Sequence, residues 1–399
     1  MEHRERNSSF AEFALAIFLV LGPGTQNVFA QETLPPKPGS IVPGGVYDKP
    51  FMTRLGGRTA IGGYMDLTGR FTRSNGISEG WSFEARRFNL FTYSTLADGI
   101  VVASEIEFEH GGEEIKLEYG FLDLELHDAA VLRAGVVLVP LGRVNLAHDS
   151  PLLELVERPL VSTDVIPSTF SETGAGLWGT IYPVESIRFS YEVYAVNGLS
   201  QGILEAGGET FIPAGRNATF EEDNNGEPSF TGRFAVSPLE GSDLGLSFYT
   251  GAYNRFEADG LPVDARRTVT ILAFDAQTEF AGGVIAVEAA DARMGIPASL
   301  EGIMASRQRG YSIQADVPFG ESWFVRWPRS ILTASIRWEG LDRDAMRAGD
   351  DTDRLTVGLN LRPVRDAVVK FNYEHSWLRD REGNPSRSAR VMAGVAAYF

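Results

Sequence analysis

The 399-residue chain contains no cysteine, so neither disulfides nor thiolate metal ligands enter its architecture. Histidine is scarce: His3, His110, His127, His148 and His375 lie far apart in sequence, without the paired spacing of a zinc site. No internal apolar run reaches the roughly eighteen residues that a helix needs to cross a bilayer. With a mean hydropathy of −0.09, that excludes a helical-bundle membrane protein. Basic charge is lacking too. A net charge of −17 leaves no positive face for phosphate neutralisation, so nucleic acid is not an expected partner. "GGRTAIGG" near residue 56 is followed by no Lys-Ser/Thr pair and no helix, so it is no phosphate cradle, and no cofactor is expected.

What the chain does have is glycine (43 residues), aromatics (11%) and a 43% hydrophobic content, the composition of a strand-rich protein with many tight turns. Residues 1–30 read as a secretory signal: Arg4 and Arg6 precede the apolar "FALAIFLVLG", and "VFA" precedes Gln31. An uncleaved amphipathic anchor is the alternative reading of this segment. Residues 31–56, with "TLPPKPGSIVPGG", hold too many prolines for helix or strand and are expected to form a flexible leader.

From Gly57 onward about sixteen segments of roughly ten residues show period-two patterning, the length expected of membrane-spanning strands. In "DRLTVGLNLR", Leu355, Val357, Leu359 and Leu361 oppose Arg354, Thr356, Gly358, Asn360 and Arg362. "SIRFSYEVYAV" and "ILTASIRWEG" split in the same way. A soluble sandwich also alternates, so the connections must decide. Those at 96–99, 127–129, 183–186, 238–243, 280–283 and 362–366 are short. Between them lie long ones at 70–80, 139–172, 199–228, 254–267, 291–308, 340–351 and 378–388. Short turns on one side and long loops on the other are the rule of outer-membrane β-barrels, so the expected fold is an all-β transmembrane antiparallel barrel over 57–399. Two connections break the pattern: 110–113 is short on the long side, and "PFGESWFVRWPRS" (318–330) is long on the short side, with Trp323 and Trp327 suited to a membrane interface. The closing "ARVMAGVAAYF" (389–399) alternates up to Phe399, as the last strand of a closed barrel must if it is to pair with the first.

Alternation also assigns an inward face. It places Lys116, Arg133, Arg188, Arg233, Arg337, Arg354, Lys370 and Arg390 toward the lumen, together with Glu105, Glu107, Glu118, Glu192, Glu339 and Glu374. In "EARRFNLFTYS" and "LEYGFLDLEL" the apolar parity shifts mid-strand, which predicts a bulge in each.

Two stretches go further. "RRFNLFTYSTLADGIVVASEIEFEHGGEEIKLEYGFLDLEL" (86–126) and "LRAGVVLVPLGRVNLAHDSPLLELVERPLVSTDVIPSTFSETGAGLWG" (132–179) resemble the phosphate-selective porin O and P family and its porin-like relatives. The resemblance implies a sixteen-stranded barrel, a homotrimer in the bacterial outer membrane surrounded by its lipid, and passive diffusion of small hydrophilic solutes. The third long connection, 139–172, is too long for a hairpin loop. The resemblance implies that it folds into the lumen, with Arg143, His148, Asp149, Glu154, Glu157, Arg158 and Asp164 as candidate constriction residues and Pro140, Pro151, Pro159 and Pro167 stiffening its path. An alternative for each of these charges is that it ties the loop to the wall. An anion filter needs converging Arg and Lys with few carboxylates nearby. The mixed inward charge predicts near-neutral or weakly cation-preferring behaviour instead.

Rival chemistries are weaker. "GLSQG" (198–202) fits a nucleophile-elbow pattern without the strand-to-helix context, and a barrel enzyme would need Ser200 and His375 to act together. "EEDNNGEP" (221–228) and "GDDTDR" (349–354) offer clustered oxygens for Ca²⁺ but no complete twelve-residue calcium loop, so no metal site is expected. A barrel with an occluded lumen, serving structure or adhesion, is the remaining alternative.

Overall fold

The computed structural model describes residues 53–54, 58–184, 186–204, 209–216, 220 and 222–399. The expected signal segment 1–30 and all of the leader 31–56 except Thr53 and Arg54 lie outside the described residues.

Sixteen strands form one ring. The first eight are β1 (Thr59–Ser74), β2 (Ile77–Ala97), β3 (Ile100–Glu109), β4 (Glu114–His127), β5 (Ala130–Leu138), β6 (Ser171–Val184), β7 (Ile187–Val196) and β8 (Ser229–Ser237). The second eight are β9 (Ser242–Ala252), β10 (Thr268–Phe280), β11 (Gly283–Met294), β12 (Arg307–Phe319), β13 (Ile331–Asp342), β14 (Asp351–Val364), β15 (Ala367–Arg379) and β16 (Pro385–Tyr398). Each pairs antiparallel with its sequence neighbours, and β16 pairs with β1 from Ser388↔Ser74 to Tyr398↔Tyr64. The Phe399 amide donates to Gly63 O at 2.9 Å and Gly63 N donates back to Phe399 O at 3.2 Å, so hydrogen bonding continues along the seam to the last residue. Gly63 is required there: a Cβ would sit 2.3 Å from Asn89 O and 2.5 Å from the Phe399 ring.

Closure removes the sheet's edges and makes the two faces unequal. Outward positions are apolar and exposed, as with Val357, Leu359, Phe371, Tyr373, Phe234 and Leu246. Inward positions are polar and buried, as with Thr356, Asn360, Arg354, Glu374 and Asn372. This inverts the pattern of a water-soluble protein.

The long and short sides alternate as the sequence indicates, with one correction. The expected long connection at 70–80 is the tight turn Asn75-Gly76 between two extended strands. Both residues have positive φ, 49° and 87°, the requirement of a two-residue hairpin turn that Asn-Gly meets at low cost.

Candidate functional site

The two expected bulges are present and shape the lumen. Pairing of β1 with β2 slips after Asp66, leaving Arg86 as the extra residue, and pairing of β3 with β4 slips after Glu105, leaving Glu118. Each slip turns two consecutive side chains inward. Arg86 and Arg87 are both largely buried, as are Glu118 and Tyr119, while the flanking Phe83, Phe88 and Leu117 face out. Arg87 ion-pairs with Glu107 at 2.9 Å and Glu109 at 3.4 Å.

The connection between β5 and β6, residues 139–170, enters the lumen. Asn145 clips its ends together, donating to Val139 O at 2.8 Å and Phe170 O at 3.0 Å and accepting from Phe170 N at 2.8 Å. Every carboxylate expected at a constriction has a partner. Asp149 accepts from the Tyr398 hydroxyl at 2.7 Å, Glu154 binds Arg362 at 2.7 Å, Glu157 binds Arg86 at 2.7 Å, and Asp164 binds Arg343 at 2.9 Å. His148 is buried, with Nε2 2.5 Å from Glu118 and Nδ1 2.8 Å from Asn145 O. Arg158 donates to Thr169 Oγ1 at 3.0 Å; burial, reinforced by the nearby Arg87 cation, pushes its guanidinium down to about 10. Burial would raise the Glu157 carboxyl, but the Arg86 and Arg390 guanidinia outweigh it and hold the group at about 2. Arg143 differs. Its backbone N–H donates to Glu288, while its side chain lies among Asp275, Asp243, Glu288 and Arg233 with no hydrogen bond to any of them.

The wall reaches for the loop backbone as well. Lys370 donates to Ser150 O at 2.7 Å, Arg337 to Glu157 O at 2.9 Å and Arg354 to Arg158 O at 3.1 Å, while Glu339 accepts the Leu160 N–H at 2.8 Å. Asn372 accepts the Val156 N–H at 2.6 Å. These bonds satisfy polar backbone that would otherwise be buried without partners inside the barrel.

Described residues of a second connection, between β7 and β8, also turn inward, which the sequence reading did not anticipate. Leu199, Ile203 and Ile212 are fully buried beside Val161, Val165, Ile166 and Phe170 of the first loop. Tyr194, Tyr249, Val269, Ile271, Ala290 and Ala292 of the inner wall complete an apolar core inside the barrel. The signal was the isolated apolar residues in an otherwise glycine-rich and acidic stretch. Hydrophobic burial therefore holds one side of the lumen and ion pairs hold the other.

On the charged side a cavity of about 580 Å³ remains, bounded by Arg70, Thr72 and Ser82 on β1 and β2, Leu160 of the inward loop, Arg343, and Arg354, Glu374 and Arg390 on β14 to β16. Its cations are answered: Arg70 by Glu84 at 2.8 Å, Arg354 by Glu339 at 2.5 Å and Glu374 at 3.4 Å, and Arg390 by Glu374 at 2.5 Å. Glu339↔Arg354 and Glu374↔Arg390 are direct cross-strand neighbours, so the ladder follows from sheet register.

The other inward assignments resolve by depth. Arg133 forms a two-pronged pair with Asp123 (both contacts 2.7 Å) and lies 3.8 Å over the Phe121 ring. Arg233 binds Asp275 at 2.6 Å; Glu105 accepts from Asn89 at 2.8 Å; Glu192 accepts from the Tyr194 hydroxyl at 3.0 Å. Lys116 and Arg188 sit at opposite ends of the barrel, both exposed, on Glu109 and Ser237 respectively. Partners missed by pattern reading include Asp66, Arg86, Arg87, Asp123, Asp275 and Glu288.

No family model matches the chain. An uncharacterized protein of Aquifex aeolicus (strain VF5) is 33% identical over 147 residues, 35% of this chain; the chain thus spans 32% of that relative's length. Among solved structures, Salmonella typhi OmpF in complex with daunomycin matches with 12% identity over 88% of this chain and 100% of its own, at a TM-score of 0.54. The outer membrane channel DcaP of Acinetobacter baumannii matches with 10% identity over 88% and 99%, at 0.53. The fold is that of a porin-like outer-membrane barrel.

Within this porin-like barrel the rival chemistries find other geometry. Ser200 Oγ donates to Gly215 O at 3.0 Å in the second inward loop, whereas His375 sits on the outer wall with its ring 4.5 Å from Trp377. In the acidic loops, Glu227 binds Arg266 at 2.6 Å, and Asp351 binds Arg379, so cationic side chains already occupy both carboxylates. Among the described residues Glu109, His110 and Glu114 converge to within 4.8 Å, but the Lys116 ammonium lies 2.8 Å from Glu109 and 3.1 Å from Glu114.

Proposed function

We propose that the chain is a porin of the bacterial outer membrane, a passive diffusion channel through which small hydrophilic solutes or ions move down their gradient. The observation that carries this reading is the charged cavity left beside the inward loop in a closed barrel whose outer wall is apolar. Export by the N-terminal signal and assembly as a homotrimer belong to the same reading, as the family resemblance implies. Phosphate selectivity is what that resemblance implies, but the arginines around the cavity are paired with carboxylates and offer few free donors to an anion. Near-neutral or weakly cation-preferring conduction fits this charge pattern better. Planar-bilayer recording tests the reading: discrete current steps are expected, with a reversal potential under a salt gradient near zero or slightly on the cation side. Strong anion preference with tight phosphate block would refute the selectivity.

A second reading has its own observation. Two loops share a fully buried apolar core within the lumen, which favours an occluded structural or adhesive barrel. Absence of any current step from folded, reconstituted protein would decide for it. A barrel enzyme requires Ser200 and His375; hydrolase activity lost in both S200A and H375A would support that reading over the channel.

A further inference from the structure

The connection 320–330 between β12 and β13 stands apart from the two-residue turns Asp98-Gly99, Asp128-Ala129, Ala281-Gly282 and Arg365-Asp366 on the same rim. Its backbone is organised. Ser322 N donates to Ser330 O at 2.8 Å, Trp327 N to Phe324 O at 2.8 Å, and the Ser322 hydroxyl to Pro328 O at 2.7 Å. Gly320, at φ 63°, lies against the Trp323 ring, which a Cβ there would approach to 2.9 Å. This frame displays apolar side chains rather than hiding them: Val325 is 97% exposed, Trp323 67% and Trp327 41%. Trp323 packs edge-on against Phe319 at 5.9 Å, and Phe319 shares the outward parity of Val317, so the tip continues the apolar outer wall. Arg326 and Arg329 are exposed on the same segment and have no carboxylate partner among the described residues, in contrast to the paired guanidinia inside the barrel.

We propose that this connection is a lipid anchor. Trp323, Val325 and Trp327 enter the headgroup boundary of the leaflet at the short-turn rim, and Arg326 and Arg329 bind the phosphates of anionic phospholipid. Indole rings favour that boundary because one end is apolar and the other can hydrogen-bond, and guanidinium forks match phosphate geometry. The inference rests on the membrane-embedded reading of the barrel.

The test reconstitutes the full chain and its W323F/W327F variant in phosphatidylcholine bilayers with brominated acyl chains, with and without phosphatidylglycerol. The difference emission, which reports these two indoles, is expected to fall at least twofold on bromination and to resist acrylamide. Native mass spectrometry of R326Q/R329Q is expected to show several-fold lower retention of phosphatidylglycerol with phosphatidylcholine unchanged. Difference emission insensitive to bromination and open to acrylamide, while the outer-wall Trp338 and Trp377 remain quenched, would overturn the anchor and point to a protein partner. Loss of quenching at Trp338 and Trp377 as well would overturn the membrane reading itself. Phosphatidylglycerol retention in the arginine variant equal to that of the native chain would remove the phosphate contact.

Discussion

Glu288 on β11 holds two separate parts of the inward loop at once, and replacing it by alanine is a direct test of that docking. One of its oxygens accepts the Arg143 and Val144 N–H groups at 2.8 and 2.9 Å, and the other accepts the Ser162 hydroxyl at 2.5 Å. The carboxylate thus holds both limbs of the loop. Hydrogen bonds to a charged acceptor contribute about 1.5–3 kcal/mol each, or roughly 5–9 kcal/mol gross for three. Keeping a carboxylate out of water costs several kcal/mol of that, which leaves about 2–4 kcal/mol net for docking. Since about 1.4 kcal/mol is tenfold, E288A should raise the undocked population roughly 30- to 700-fold. E288Q, which keeps an acceptor oxygen, should fall between E288A and the native chain. Hydrogen exchange of the Arg143 and Val144 amides reads this directly, and single-channel current noise reads its consequence. Unchanged protection of both amides in E288A, with channel traces matching the native ones, would refute the latch.

Because the folded-state value of Glu157 lies at about 2, below an unfolded glutamate's ~4.3, its tie to Arg86 contributes fully above that range and is lost as pH falls toward 2. Conductance should therefore be steady from pH 7 to 5 and become noisier only under strong acid, and E157Q should remove that acid step. E339Q leaves Arg337 and Arg354 buried without their shared carboxylate. It should cost about 3–5 kcal/mol in urea unfolding, and a loss under ~1 kcal/mol would show that water reaches the pair. Substituting Gly63 by valine places side-chain atoms against Asn89 O and the Phe399 ring at the seam, so the heat-resistant folded band in detergent gels should be lost; a full-strength band would contradict the tight closure. R354Q/R390Q leaves Glu374 without its two arginines and Glu339 with Arg337 alone beside the cavity, so the reversal potential should move toward cations, and movement toward anions would contradict the ladder.

Strand number, alternation of connection lengths and facing were legible because a half-lipid, half-lumen wall imposes period two over each crossing. The parity slips at Arg86 and Glu118 were legible as bulges for the same reason: an added residue shifts every later side chain to the other face. What alternation cannot carry is depth and partner. Lys116 and Lys370 read alike in sequence, yet one lies exposed at a rim and the other is buried under the loop, because the loop's path decides. That path is tertiary. Of the two roles the sequence left open for charges such as Glu154 and Asp164, lining a constriction or tying the loop, pattern could not choose; both carry arginine partners. The second inward loop was missed because Leu199, Ile203 and Ile212 are scattered among glycines without a period, and their burial depends on an apolar inner wall contributed by β9 to β11. At 70–80, the Asn-Gly signal for a tight hairpin was present and was outweighed by the polar residues around it.

Tyr398 pairs with Tyr64 across the last seam and also donates to Asp149 on the inward loop. One penultimate residue thus joins two events in biogenesis, zipping the ring shut and seating its internal arm. Any chain that arrives strand by strand must carry residues 139–170 unlatched on that side until β16 comes home, so the final hairpin both seals the wall and locks its contents.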